Sequence, residues 1–277
     1  MIISCLTNTY GRFGPEAAIE LLPQAGIHHL ELPIKNAGMP SFFKEIPLLT
    51  NGSSVAEAEA ARDRILAAGL QISSCNITSG NPLEEEAFKR TLAKLPLAAT
   101  CGVSLVVAGA GEISSTDDWP QLVKHMRAIG DLAADLNITY CCETHPGACR
   151  NADAMLEFFE RVDHPHIRLN FDTGNIFFYN DSPNLLEEMQ RVIEFVRHVH
   201  LKDTTGKLKD WHFSELGDGG AVDFVAVREL LAKSQFSGPC SLELEGIQGE
   251  PERTLEQIQQ RVLNSVQFLK EHGWAVS

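Results

Sequence analysis

The sequence predicts an α/β protein folded as a single (β/α)8 barrel over residues 1–277. Three observations predict it. The chain has 277 residues, close to the length of about 250 residues usual for that barrel. Short apolar runs alternate with longer helical stretches, eight of each. The later apolar runs end in carboxylates and a histidine, and chemistry in such barrels collects at the C-terminal strand ends.

Residues 2–6 read as the first strand and 15–25 as the first helix, with Pro15 in its first turn and Gly26 just past its end. The second strand is 27–32. Residues 38–52, a Pro- and Phe-containing loop, are long enough to form a lid. The second helix (53–68) is rich in Ala and Glu and closes at Gly69; the third strand is 70–75. The third helix spans 83–100, with a kink expected at Pro96. The remaining strand and helix pairs are 104–108 with 119–136, 138–143 with 152–161, 167–172 with 184–195, 196–202 with 222–233, and 240–245 with 253–272. This alternation argues a parallel sheet with crossover helices. A dinucleotide or nucleoside-triphosphate fold is disfavoured. Gly109-Ala110-Gly111 lacks a third glycine at the required place, and no GxxxxGK[ST] occurs.

Composition narrows the function. Lys and Arg number 23 against 37 Asp and Glu, a net charge of −14. Such a chain repels phosphate backbones, so no nucleic-acid partner is expected. No run of about 20 apolar residues is present, so no membrane partner is expected either. The N-terminus Met1-Ile2-Ile3-Ser4-Cys5 has no basic region and no long apolar core. The seven cysteines include no CxxC pair and lie in apolar runs, as buried free thiols of a cytoplasmic protein would.

The chemistry concentrates in 197–203, Arg197-His198-Val199-His200-Leu201-Lys202-Asp203. Apolar and polar residues alternate, so His198, His200 and Lys202 share one face of a strand. The neighbouring strands end in Glu143-Thr144-His145, in Asp172-Thr173-Gly174-Asn175 and in Glu243-Leu244-Glu245. One carboxylate at a strand end is ordinarily solvated, and one histidine in a strand is ordinarily a hydrogen-bonded core residue. Three carboxylates converging without a cation would repel one another, and a divalent ion removes that conflict. An oxygen-rich set with one nitrogen favours Mn²⁺ or Mg²⁺, with Zn²⁺ or Co²⁺ as alternatives. Parity alone does not separate Glu243 from Glu245. His198 lies deeper than His200. Lys202 lies above it and faces substrate, because an ammonium cannot ligate a metal.

These residues resemble the xylose isomerase-like TIM barrels of sugar (phosphate) isomerases and epimerases. That group includes ketose 3-epimerases, hydroxypyruvate isomerases, inosose dehydratases and endonuclease IV. The resemblance spans essentially the whole chain. It is carried by Glu143, Asp172-Thr173, His200-x-Lys202-Asp203 and the stretch 238–243. It implies Glu143, Asp172, His200 and Glu243 as metal ligands, with Glu143 and Glu243 also the catalytic acid/base pair. The offset from Gly238 matches the family at Glu243 rather than Glu245. Substrate contacts are expected from His145, Asn175, Lys202, Asp210 and His212, with Trp211 and Phe213 capping the cavity. Glu31 is expected to be a structural or substrate contact rather than a ligand.

The implied activity is a divalent-metal-dependent sugar or sugar-phosphate isomerase or epimerase, with proton transfer next to a carbonyl through a metal-stabilised enediolate. A metal-dependent dehydratase of a keto-polyol is the alternative, since it shares the first proton abstraction. A nuclease reading fits less well. The third and fourth strands end in Cys75-Asn76-Ile77 and Val107-Ala108-Gly109 without histidine, and Asn175 stands where many relatives carry His. A non-catalytic sugar binder and a homo-oligomer are further options.

Overall fold

The computed structural model describes residues 1–276. Eight parallel strands each lead into a helix: β1 (Ile2–Leu6) and α1 (Gly14–Leu21); β2 (His29–Lys35) and α2 (Val55–Ala67); β3 (Gln71–Asn76) and α3 (Glu85–Thr100); β4 (Leu105–Ala108) and α4 (Trp119–Asp135). The second half repeats the unit with β5 (Thr139–Glu143) and α5 (Ala152–Val162); β6 (Ile167–Asp172) and α6 (Leu185–Val192); β7 (Val196–Leu201) and α7 (Phe224–Lys233); β8 (Pro239–Leu242) and α8 (Leu255–Glu271). Each strand pairs with the next, and β1 pairs with both β8 and β2, which closes the barrel. The (β/α)8 expectation is therefore met.

Period-2 alternation explains how the strands serve two environments. In β6 and β7 the apolar set Leu169, Phe171, Val199 and Leu201 joins the hydrophobic core. Each such buried side chain contributes about 1.5–3 kcal/mol. The alternate set Asn170, Asp172, His198 and His200 is equally buried but makes polar contacts with one another and with β5. Two register shifts tune this pattern. One lies between Leu30 and Glu31 against β3, so Glu31 pairs with Ser74 instead of Ser73. The other lies between Leu169 and Asn170, so Asn170 pairs with His198. All seven cysteines are buried and unpaired. No helix among the described residues is long and apolar enough to cross a membrane.

Helix starts follow local capping chemistry. Ser54 and Glu57 form a reciprocal capping box on α2, and Thr254 and Gln257 another on α8. Asn151, Asn184 and Asp223 cap α5, α6 and α7. Departures from the sequence reading have physical causes. The first helix stops at Leu21 because Pro23 has no N–H to continue it; a 3-10 turn, Pro23–Ala25, completes the segment. β2 runs on through Pro33 to Lys35. There β1 has already left the sheet at Leu6, opposite Glu31, so Pro33 is paired on one side only. β8 ends at Leu242, three residues before the expected end. A short helix, Asn175–Tyr179, follows β6. α3 continues through Pro96 as one helix.

Lys94 of α3 is fully buried and donates to the carbonyls of Thr78 at 2.8 Å and Ile77 at 3.3 Å, which fixes the loop after β3. Burial, helped by Lys35 and Arg90, pushes its ammonium down to about 7. A lysine whose folded value is depressed binds fewer protons in the native state than in the unfolded one. Its penalty is complete below about pH 7 and vanishes as pH rises past its unfolded value. Chemical denaturation of the wild type and Lys94→Met at pH 6.5 and pH 10 is expected to show the wild type gaining on the order of 3 kcal/mol relative to the variant.

Candidate metal centre

Four strand ends meet inside the barrel mouth. Glu143 is the last residue of β5, Asp172 the last of β6, His200 lies one residue before the end of β7, and Glu243 follows β8 directly. All four are buried, and one ligand-capable atom from each lies within 4.8 Å of the others. His200 Nδ1 is the hub, 3.1 Å from Glu143 Oε1, 3.1 Å from Glu243 Oε2 and 3.9 Å from Asp172 Oδ2.

The two oxygens of Asp172 divide their work. Oδ1 accepts from the N–H groups of Gly174 and Asn175, both at 2.8 Å, and so starts the short helix Asn175–Tyr179. Oδ2 faces the cluster and makes no hydrogen bond, as does Glu243 Oε2. Their nearest cation is Lys202 Nζ, at 3.2 Å and 2.8 Å, ion-pair distances without hydrogen-bond geometry. Buried carboxylate oxygens without hydrogen bonds, converging on one imidazole nitrogen, are the donor set a divalent cation requires. The residues therefore fit a metal.

The electrostatics reflect crowding. Burial pushes the Asp172 carboxyl up to about 6, although Lys202 opposes it. Burial likewise pushes Glu245 up to about 7 against the pull of Lys202. Glu243 is also buried, yet Lys202 and His200 hold it well below the usual carboxylate range. Burial disfavours charge on Lys202, but Asp172, Glu243 and Glu245 outweigh it and raise the ammonium well above its ordinary value. Gly174 lets the lysine stem reach this position, because a Cβ there would lie 2.6 Å from Lys202 Cγ.

A cavity of 410 Å³ opens above the cluster. His145, Asn175, Lys202, Glu143, Glu243 and Glu245 line it. His145 Nδ1 stands 3.7 Å from Glu143 Oε2, and its ring packs on Tyr179. Lys202 lines the cavity but contacts three carboxylates and the Asn175 Oδ1 at 3.2 Å. Asp210 and His212 do not line it. The Asp210 carboxylate accepts from Thr205 Oγ1 at 2.5 Å, and His212 pairs with Ile247 in a two-residue antiparallel ladder. Trp211 and Phe213, between and beside them, do line the cavity. The loop after β2 crosses the mouth, with the Phe42 ring 5.5 Å from Trp211. Asp203 accepts from the N–H groups of Thr204, Gly217 and Val222 and so holds the loop after β7 by both ends.

Two groups escaped the sequence reading. Lys35 and Asn8 line the cavity and bond to each other at 3.0 Å; placing Lys35 there requires β2 to continue past a proline. Tyr179 belongs to a five-residue helix, too short to show periodicity. Its one signal is the aromatic run Phe177-Phe178-Tyr179 after a strand-end Asp. Glu31 lies in the middle of β2 rather than at its end, beneath the cluster, and its Oε2 is 3.0 Å from His200 Nε2.

Comparison with known proteins places this geometry in context. An inosose dehydratase of Clostridium botulinum (strain Eklund 17B / Type B) is 26% identical over 145 residues, 47% of this chain and 48% of that protein. The chain thus spans about half the length of the curated relatives it matches. A D-psicose 3-epimerase of Clostridium cellulolyticum H10, solved with D-tagatose, superposes with a TM-score of 0.75 at 12% identity, over 99% of this chain and 100% of that one. A xylose isomerase-like TIM barrel protein of Mycobacterium smegmatis, in complex with magnesium, gives a TM-score of 0.73 at 18% identity, over 98% and 97%. The model of the xylose isomerase-like TIM barrel family matches residues 19–272. With the closed eight-stranded barrel, that match shows that the chain belongs to the xylose isomerase-like TIM barrel family.

Proposed function

We propose that the protein is a divalent-metal-dependent enzyme that moves a proton at a carbon next to the carbonyl of a sugar or keto-polyol. The observation that carries this reading is the convergence of Glu143, Asp172, His200 and Glu243 within 4.8 Å beneath a covered cavity. These four residues would hold the cation, with Mn²⁺ or Mg²⁺ favoured. When bound, it supplies electrophilic stabilisation for the charge that develops on the substrate carbonyl oxygen.

The protein's own groups account for the rest. Glu143 and Glu243 come from strands three apart around the barrel, so one carboxylate can take a proton from the substrate carbon while the other returns one. His145 and Asn175 reach into the cavity to orient hydroxyl groups. Lys202 keeps Glu243 ionised. Trp211, Phe213 and Phe42 cover the mouth and exclude water. The cavity favours a neutral, hydroxyl-rich substrate over a phosphorylated one. Its two lysines are already engaged: Lys35 lies 2.7 Å from Glu45 Oε1, and Lys202 contacts three carboxylates.

Return of the proton to the opposite face gives epimerisation. Loss of a hydroxyl from the next carbon gives dehydration, a second reading favoured by the dehydratase relatives. A panel of ketoses and keto-polyols incubated in D₂O tests both. Deuterium is expected at the carbon next to the carbonyl, in an epimer or in a dehydrated product. Metal analysis of the wild type, Asp172→Ala and His200→Ala should show the cation lost in both variants. Unchanged metal content in both would overturn the reading.

A further inference from the structure

We infer that Glu31 is a positioning residue that fixes the ring state of His200, so that Nε2 carries the proton and Nδ1 presents its lone pair to the ligand cluster. The inference rests on the metal-centre reading above and adds a residue outside the ligand set.

Both edges of the His200 ring face carboxylates, Glu31 at Nε2 and the ligand-cluster residues Glu143 and Glu243 at Nδ1. At Nε2, both carboxylate oxygens of Glu31 approach, at 3.0 Å and 3.3 Å. A carboxylate only accepts, so this nitrogen is the donor. At Nδ1 the Asn170 amide nitrogen approaches at 3.1 Å. That amide is oriented by its own oxygen, which lies 2.9 Å from His198 Nδ1. His198 is in turn held by Ser74 Oγ, 3.0 Å from its Nε2. The Asn170 amide donates toward Nδ1, while Glu143 and Glu243, both 3.1 Å away, mark where a bound cation would take the place of a proton on that nitrogen. With a cation in the cluster, Glu31 would keep the remaining ring proton on Nε2, which leaves Nδ1 as the nitrogen that ligates.

The fold builds this support on purpose-made geometry. Glu31 and Ser74 become partners because of the register shift between β2 and β3. Glu31 is 0% exposed, beneath the cavity floor and out of reach of substrate. A cation held instead by Glu31, His198 and His200, whose ligand atoms also lie close together, would need the proton removed from His200 Nε2. It would then compete with the upper cluster for one imidazole.

The test uses the full chain, stripped of metal and titrated with Mn²⁺ by electron paramagnetic resonance. The wild type is expected to bind one equivalent and His200→Ala to lose it. Glu31→Ala should weaken binding about 10–100-fold. Glu31→Gln should weaken it less, because the amide oxygen still accepts. Nitrogen-15 spectra of the Zn²⁺-loaded wild type should show the His200 proton on Nε2. Mn²⁺ binding that needs His200 but is unchanged in Glu31→Ala overturns this inference alone, as does a proton on Nδ1. A second Mn²⁺ that disappears in Glu31→Ala also overturns it, by making Glu31 a ligand. A wild type that binds no Mn²⁺ overturns the metal-centre reading and this inference together. Should Glu31→Ala fail to fold, the ring spectra of the wild type and the Glu31→Gln titration decide.

Discussion

Glu243→Gln is expected to lower kcat/KM about 10²–10⁴-fold, while Glu245→Gln lowers it by no more than about tenfold. The two carboxylates are two residues apart and both line the cavity, yet their surroundings differ. Glu243 follows the last residue of β8 and lies 3.1 Å from His200 Nδ1. Glu245 lies beyond it and meets Lys202 Nζ at 3.0 Å. Glutamine keeps the shape of the side chain but cannot take a proton and is a weaker ligand for a hard cation, so the substitution removes both roles assigned to Glu243. Steady-state kinetics on the substrate identified from the panel, with circular dichroism to verify folding, checks the pair. Equal losses in both variants would remove the distinction, and a larger loss in Glu245→Gln would reverse the assignment.

Lys202→Met is expected to destabilise the metal-free protein by about 3–5 kcal/mol. The ammonium contacts Asp172, Glu243 and Glu245 while only 2% exposed. Its removal leaves three buried carboxylates without their shared counter-charge. A divalent cation at 100 times its dissociation constant restores about 2.7 kcal/mol by mass action. Urea denaturation of wild type and variant, with and without Mn²⁺, measures both quantities. A variant as stable as the wild type without metal would show that Lys202 does not balance the cluster.

The barrel was readable because the strands obey period-2 alternation and the helices end in glycines and caps. Glu143, Asp172 and His200 stood out for the same reason, as polar groups closing apolar strands. Glu243 and Glu245 have the same parity, and the choice of Glu243 rested on the offset from Gly238 that the family resemblance supplies. Asp210 and His212 were expected as substrate contacts, but Thr205 and the Ile247 ladder engage them and neither lines the cavity. Lys35 was hidden because Pro33 reads as the end of a strand, and a closed barrel supplies the one-sided position where proline is tolerated. Asn170 was inconspicuous, and Glu31 was legible only as a structural or substrate contact, because their partners lie in contacts between β2, β6 and β7, far apart in sequence.

The loop after β7 is tied at both ends to Asp203, through the N–H groups of Thr204, Gly217 and Val222. Its packing leaves no room for a side chain at Gly220, where a Cβ would fall 1.9 Å from the carboxylate. The loop is therefore a cassette with a fixed frame. Residues such as Trp211 can change identity, and with them the shape offered to a substrate, while the strand that carries His200 keeps its register. Substrate range can thus diversify in this segment without reworking the ligand cluster below.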